Sequence, residues 1–195
     1  YSNGVNTFIL FDDFERGNNG DTIGGDWTET VAHAHISTTH DIGDSTGFTG
    51  TRGAMLIGNN LSRATATTPL TASDTSYAIQ CRVYHNITSD EHSVIQHGNS
   101  SNRLLVGILA SGNSIQYFDG SWKATGSTAT LNAWSLLEVR NINFTAATFD
   151  IYLNGLLIKS AATMHASDTL NNIIKMYGTS ADLTTETKHE LKGKI

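Results

Sequence analysis

Cysteine, proline and charge are scarce in this sequence of 195 residues, which has one cysteine, Cys81, and one proline, Pro69. A single cysteine excludes an internal disulfide and a cysteine-based zinc site. Charged residues make up only 15% of the chain, with 12 Lys and Arg against 18 Asp and Glu. Because the cations are few and scattered, no basic stripe is available to bind phosphates, and we expect no nucleic-acid partner.

Long apolar runs are also absent. The longest, residues 104–110, is far shorter than the roughly 20 residues that a membrane helix needs, so no membrane span is predicted. The chain begins at Tyr1 without a charged and apolar leader. We therefore expect a processed mature protein or an excised domain, and the sequence leaves these two open.

Glycine, serine, threonine and asparagine are abundant instead, with 18 glycines. A turn-rich, hydroxyl-rich composition with little charge suits many short strands better than helices. Tyr77, Ile79, Cys81 and Val83 alternate with more polar residues, which predicts a strand with those four side chains facing inward. Similar patterns predict strands over residues 7–11, 54–57, 94–96, 104–110, 114–118, 136–142 and 173–177.

The strongest local signal is the pair Asn154 and Gly155, which separates two β-rich segments, residues 149–153 and 156–159. Both central residues of a type I′ turn need positive φ, and Asn and Gly tolerate positive φ best. The pattern therefore predicts a tight β-hairpin.

Closely spaced strands without helical crossovers leave a sandwich or a barrel, and a length near 200 residues favours a sandwich. We predict one all-β domain, an antiparallel β-sandwich, over residues 1–183. Residues 184–195 are polar and charged and do not have the pattern of a core strand. We predict that they form a C-terminal extension that can contact a neighbouring molecule.

Three segments resemble the concanavalin A-like lectin and glucanase superfamily, particularly its laminin G-like and carbohydrate-binding members. They are FDDFER at residues 11–16 with GDW at 25–27, IQYFDGSW at 115–122, and WSLLEVR at 134–140, which leads into the predicted hairpin. The resemblance implies a jelly-roll β-sandwich that binds a polysaccharide or a glycoprotein.

Sugar-binding sites use an exposed aromatic plate together with polar side chains that satisfy the sugar hydroxyls. Trp122 stands in a predicted loop with Asp119, and Tyr84 and Tyr117 fall on strand faces that we expect to be polar. These four residues form the candidate carbohydrate-binding set. For Trp122 the alternative is that its ring closes the end of the sandwich, as large aromatic side chains often do.

Two groups of residues can supply metal ligands. Asp12 and Asp13 offer carboxylate oxygens for a structural calcium ion, as do further aspartates in glycine-rich loops, Asp26, Asp41 and Asp44. His33 and His35 are one residue apart, with His40 close by in sequence, which is a usable spacing for zinc or nickel. The competing interpretations are turn-forming aspartates and solvated histidines. No other cofactor is expected.

Catalytic residues are not evident. Enzymes that cleave glycans on this type of fold need two carboxylates roughly 5 to 9 Å apart, commonly from one strand. Glu138 is isolated in its predicted strand, and Asp150 lies in the predicted hairpin. Gln96 and His97 are only partly similar to the Gln-x-His element of related lyases, and no arginine-rich strand accompanies them in the sequence. We therefore predict that the protein is not an enzyme.

These observations favour a non-catalytic recognition module located outside the cytoplasm, at a cell surface or virion surface. The alternative is a structural or adhesion subunit, a homo-oligomer or part of a larger assembly in a virion surface, fibre or extracellular layer. A glycan hydrolase or lyase is the third interpretation.

Overall fold

A computed structural model describes residues 11–12, 21–22, 24–25, 28–29, 34–37, 53–56, 64–69, 78–85, 91–98, 101–109, 111–131, 133–166, 173–178 and 189–194. These residues form β1 (Phe11–Asp12), β2 (Thr28–Glu29), β3 (Ala34–Ser37), β4 (Gly53–Leu56), β5 (Ala64–Pro69), β6 (Ile79–His85), β7 (Glu91–Gly98), β8 (Asn102–Leu109), a short 3₁₀ turn (Ser111–Asn113), β9 (Ser114–Phe118), β10 (Trp122–Thr128), β11 (Ala133–Asn143), β12 (Thr148–Leu153), β13 (Leu156–Thr163), β14 (His165–Ala166), β15 (Ile173–Gly178) and β16 (His189–Lys194). Within these ranges no helix is long and apolar enough to cross a membrane.

The strands form two antiparallel sheets of eight strands each. The first sheet has the order β13-β12-β11-β6-β16-β4-β3, with β1 paired to β16. The second has the order β10-β9-β8-β7-β15-β5-β2, with β14 paired to β8. This arrangement confirms the predicted all-β antiparallel sandwich.

The core lies between the two sheets, because each strand turns every second side chain inward. On β9, Ile115 and Tyr117 are buried, while the other three residues of the strand are half-buried. A single hydrophobic cluster joins side chains from both sheets, with the second sheet supplying Ile95, Leu104, Val106, Ile108, Ile115 and Tyr117. The first sheet contributes Ile79, Cys81, Leu137, Val139, Phe149 and Ile151 to the same cluster.

The predicted hairpin is confirmed, with β12 and β13 paired and the turn residues Asn154 and Gly155 both at positive φ, 50° and 81°. Asn154 also ties the turn to β11, because its backbone N–H donates to the carbonyl of Leu136 at 2.8 Å. Its side-chain oxygen accepts a hydrogen bond from the backbone N–H of Leu136, also at 2.8 Å. The turn therefore sets the position of three neighbouring strands.

The expectation of an extension outside the sandwich is wrong for residues 189–194, while residues 184–188 lie outside the described residues. These last described residues form β16, which is inserted in the first sheet between β6 and β4. Leu191 is in register with Val83, which the sequence predicts to face inward, and Glu190 is in register with Tyr84. With one apolar residue among charged neighbours, the sequence pattern of β16 was too weak to reveal a central strand.

Candidate functional site

An apolar cluster lies on the outer face of the second sheet, opposite the core. In register, Val106 of β8 pairs with Tyr117 of β9, and both face the core. Leu105 and Phe118, one residue away on each strand, therefore face outward. Leu105 is nevertheless only 4% exposed, because Phe118 and Trp122 pack against it.

Trp122 stands at the start of the edge strand β10, directly opposite Phe118 of β9. The two rings meet edge to face, with 5.5 Å between their centroids and 69° between their planes. Both side chains are half-buried. Edge-to-face contact and the support of Leu105 hold the indole in one position while part of it faces solvent.

The turn between β9 and β10 has its own conformational requirements. Asp119 accepts hydrogen bonds through Oδ1 from the backbone N–H of Ser121 at 3.3 Å and from its hydroxyl at 3.4 Å. Gly120 has φ of 120°, which side chains disfavour. A local Asp-Gly-Ser turn therefore presents Trp122 at the edge of the sheet.

Polar side chains surround the aromatic pair. The imidazole of His165 lies 5.2 Å from the ring of Phe118, measured between centroids. The guanidinium carbon of Arg103 lies 5.9 Å from the centroid of the same ring. Arg103 Nη2 and His165 Nδ1 are 3.5 Å apart. We call Leu105, Phe118, Trp122, Arg103 and His165 the indole cluster.

The expectation that Tyr117 lies on an exposed polar face is wrong. Its side chain is 9% exposed and belongs to the core. Its ring meets the ring of Phe149 edge to face, with 6.4 Å between the centroids and 90° between the planes. Lys159 Nζ lies 5.8 Å from the centroid of the Tyr117 ring. The physical reason is alternation: Ile115 and Tyr117 share one face of β9, and that face packs on the opposite sheet.

The four candidate sugar-binding residues do not come together. Trp122 and Asp119 are close neighbours at the second sheet. Tyr84 belongs to β6 of the first sheet, where its backbone is in register with Trp134 and Glu190. Only the pair Trp122 and Asp119 therefore remains as one candidate site, and the indole cluster supplies partners that the sequence pattern did not indicate.

Most of the candidate metal ligands lie outside the described residues, namely Asp13, Asp26, Asp41, Asp44, His33 and His40. Asp12 is in β1, where its backbone pairs with Gly193, and His35 is in β3, where its backbone pairs with Met55. In the described ranges no three His, Cys, Asp or Glu side chains come together to hold a metal ion. The structural calcium ion stays a prediction.

The isolated carboxylates have different environments. Asp150 is a structural residue, because Oδ1 accepts from the backbone N–H of Ala161 at 2.8 Å and Oδ2 accepts from Asn141 Nδ2 at 2.7 Å. Glu138 is 1% exposed and receives a hydrogen bond from Gln80 Nε2 at 2.5 Å.

Gln96 and His97 do not form one site. They are 5% and 0% exposed, respectively, and their backbones are aligned with Leu105 and Leu104. Because adjacent residues of a strand point to opposite faces, the two side chains cannot act together on one ligand. The ring of His97 packs edge to face on Phe144 at 5.4 Å.

Several solved structures share this fold. The carbohydrate-binding module CBM66 from Bacillus subtilis matches with a TM-score of 0.52 and 10% identity, over 86% of this chain and 92% of that chain. A carbohydrate esterase from the Shiga toxin-encoding bacteriophage phi24B matches with a TM-score of 0.60 and 11% identity, over 86% of this chain and 87% of that chain. A family 16 glycosyl hydrolase protein from Mycobacterium smegmatis matches with a TM-score of 0.54 and 11% identity, over 96% of this chain and 98% of that chain.

No protein-family model matches the chain, and no curated protein matches it in sequence. At identities near 10% the structural likeness shows the fold alone. The chain has the two-sheet jelly-roll architecture that these proteins share.

Proposed function

We propose that this chain is a non-catalytic module that binds a carbohydrate at the indole cluster. The observation that carries the proposal is the position of Trp122, half-buried at the edge of an outer sheet face and braced by Phe118 over buried Leu105. A ring that is already fixed loses little conformational freedom when the apolar face of a pyranose stacks on it.

The polar neighbours of Trp122 suit the hydroxyl groups of a sugar. The Arg103 guanidinium can donate hydrogen bonds, and the His165 ring can donate or accept depending on its tautomer. Both lie beside Phe118, so a sugar stacked at the edge of the sheet would meet aromatic and polar groups together. Such a mixture of apolar surface and a few convergent polar groups is typical of small-ligand sites.

The resemblance to concanavalin A-like lectins in sequence, and a fold shared with a carbohydrate-binding module, support this class of ligand. Two of the other proteins that share the fold are named for activities on carbohydrates. We favour binding over catalysis because Asp150, one of the two carboxylates considered for catalysis, uses both of its oxygens to hold backbone and amide groups in place. We further propose a location at a cell or virion surface, where polysaccharides and glycoproteins are available.

The test is glycan binding by the wild-type chain and by Trp122→Ala, first on a glycan array and then by titration calorimetry. Loss of a central aromatic contact is expected to cost about 2 kcal/mol, which weakens binding roughly 30-fold. Lys123→Ala is the matched control, because Lys123 is the exposed next residue of β10 and is aligned with Tyr117 rather than Phe118. Wild-type affinity in Trp122→Ala, or no glycan bound by the wild-type chain, would contradict the proposal.

A structural subunit is a second candidate, and one observation favours it. The strand β13 is an edge of the first sheet, and it exposes Leu156 by 71% and Leu157 by 46%. Edge strands with exposed apolar residues can pair with another chain. A self-associating chain would support this candidate.

A further inference from the structure

A second group of side chains, centred on Glu138, lies on the first sheet, away from the indole cluster. Leu137 and Val139 of β11 face the core, so Glu138 between them points outward. Its backbone is in register with Gln80 of β6 and with Tyr152 of β12. An outward-pointing carboxylate on a sheet face is expected to be solvated, yet Glu138 is 1% exposed.

The two oxygens of Glu138 have different surroundings. Oε1 accepts two hydrogen bonds, from Gln80 Nε2 at 2.5 Å and from Arg140 Nη2 at 2.6 Å. Oε2 is also buried, and it has no hydrogen-bond partner in the part of the chain that the structure describes. Native proteins rarely bury a charged acceptor without a partner, because the lost hydration is costly. Oε2 is therefore a strong acceptor without a partner among the described residues, whereas Oε1 accepts two hydrogen bonds.

Arg140 lies beside the Glu138 carboxylate and is partly exposed to solvent. Its side chain is 41% exposed and forms the ion pair with Glu138. Its guanidinium carbon lies 4.3 Å from the centroid of the Tyr152 ring, stacked over the ring face. The guanidinium therefore occupies the position in which another planar or apolar surface could stack on Tyr152. A long, half-exposed side chain can turn away. Because the carboxylate of this ion pair is buried, a ligand that displaces Arg140 must itself supply a hydrogen bond to Glu138.

We infer that Gln80, Glu138, Arg140 and Tyr152 form a second ligand site, at which Glu138 Oε2 accepts a hydrogen bond from a hydroxyl group of a neutral saccharide. The ligand donates its hydroxyl hydrogen to Oε2, and the Tyr152 ring contacts its apolar face once Arg140 turns aside.

A neutral donor fits better than a charged one. A cationic ligand would have to compete with the Arg140 guanidinium, which already lies 2.6 Å from Oε1. An anion would be repelled by the carboxylate itself. No other acidic, histidine or cysteine side chains gather with Glu138 in the described residues, which disfavours a metal ion.

The inference rests on the proposed function for the class of ligand, but its site is separate. The indole cluster lies on the outer face of the second sheet, whereas Glu138 lies on the outer face of the first. A chain with both sites would bind saccharides on two opposite surfaces.

The experiment titrates a panel of neutral hexasaccharides of glucose, mannose and galactose into four forms of the chain, by calorimetry. The forms are the wild type, Glu138→Gln, Glu138→Asp and Trp122→Ala. Glu138→Gln keeps the shape and an oxygen for Gln80 and Arg140 but replaces the free acceptor with a donor. Glu138→Asp keeps the charge and withdraws it by one methylene. Thermal unfolding of each variant shows whether it is folded at the temperature of the titration.

We expect two binding events in the wild type, of which Glu138→Gln weakens one and Trp122→Ala the other. The loss of a hydrogen bond to a charged group should weaken the Glu138 event about 10- to 100-fold, and Glu138→Asp should also weaken it. In wild-type protein with ¹³C-labelled glutamate, the side-chain carboxyl signal that is missing from Glu138→Gln should shift when the saccharide is added.

The outcomes separate the two proposals. If folded Glu138→Gln binds like the wild type while Trp122→Ala does not, the second site is refuted and the proposed function stands. If Glu138→Gln alone loses binding, the second site stands and the indole cluster is refuted. If the wild type binds no saccharide of the panel and the Glu138 carboxyl signal does not move, the second site is refuted together with neutral-sugar binding at the indole cluster.

Discussion

Replacing Asp150 should destabilise the edge of the first sheet more than its half-buried position suggests. Asp150 lies between two β-bulges, where the register of β12 shifts against β11 and against β13. Each bulge contains a non-glycine residue at positive φ, Asn141 at 52° and Ala161 at 49°. The Asp150 carboxylate accepts a hydrogen bond from Asn141 Nδ2 at 2.7 Å and one from the backbone N–H of Ala161 at 2.8 Å. One side chain therefore fixes two strained backbone positions.

The magnitude follows from the two hydrogen bonds. A bond to a charged group contributes about 1.5–3 kcal/mol when it is shielded from water. Asn141 and Ala161 are exposed, so water can replace part of each bond, and about 1 kcal/mol per bond is a fair estimate. Asp150→Ala should therefore lower the free energy of unfolding by about 2 kcal/mol. For a domain of this size that corresponds to a fall in Tm of about 4–8 °C.

The assay is equilibrium unfolding in urea, with Tm measured in parallel. Asp150→Asn keeps an oxygen for the Ala161 N–H and should lose about half as much stability as Asp150→Ala. Ser160→Ala is the matched control, because Ser160 is the exposed neighbour of Ala161 on the same strand. A loss below about 0.5 kcal/mol in Asp150→Ala, within the scatter of ordinary surface substitutions, would refute the idea that this carboxylate holds the bulges.

Two further predictions concern the core and the sheet edge. Burial raises the pKa of the Cys81 thiol, so its stabilising contribution is present below the ordinary thiol pKa and declines as pH rises above it. Ellman's reagent at pH 8 should therefore label Cys81 slowly in the native chain and rapidly in urea, and rapid native labelling would show that the core is open. For the assembly candidate, sedimentation velocity should show concentration-dependent self-association that Leu157→Lys abolishes; a strict monomer at every concentration would remove that candidate.

Local sequence signals predicted the parts of the fold that depend on local physics. The Asn154-Gly155 turn needed only residues that accept positive φ, and the structure has them at 50° and 81°. The strand predicted over residues 114–118 coincides with β9. Alternation also identified the buried positions Ile79 and Cys81. In each case the pattern within one segment was sufficient.

The parts that were missed depend on contacts between distant segments. Strand β16 contains a single apolar residue, Leu191, yet it is held by backbone hydrogen bonds to β6 and β4. Nothing within residues 189–194 encodes those two partners. Tyr117 was expected on a polar strand face, but its side chain shares the face of Ile115, which packs against the opposing sheet. The face of a strand that points inward is determined by the sheet that packs against it, and not by the strand alone.

The same limit explains why sequence alone did not single out Leu105 and Glu138 as parts of candidate sites. In a β-sandwich the inner faces of the two sheets are occupied by the core, so ligands bind at the outer faces, the edges or the loops. The informative residues are then those that point outward and are nevertheless buried. Leu105 is covered by Phe118 and Trp122, which builds a surface suited to stacking. Glu138 is buried, and its Oε2 has no hydrogen-bond partner among the described residues, which suits a hydroxyl donor. Burial at an outward position requires both the register and the covering side chains, and only the folded chain supplies them.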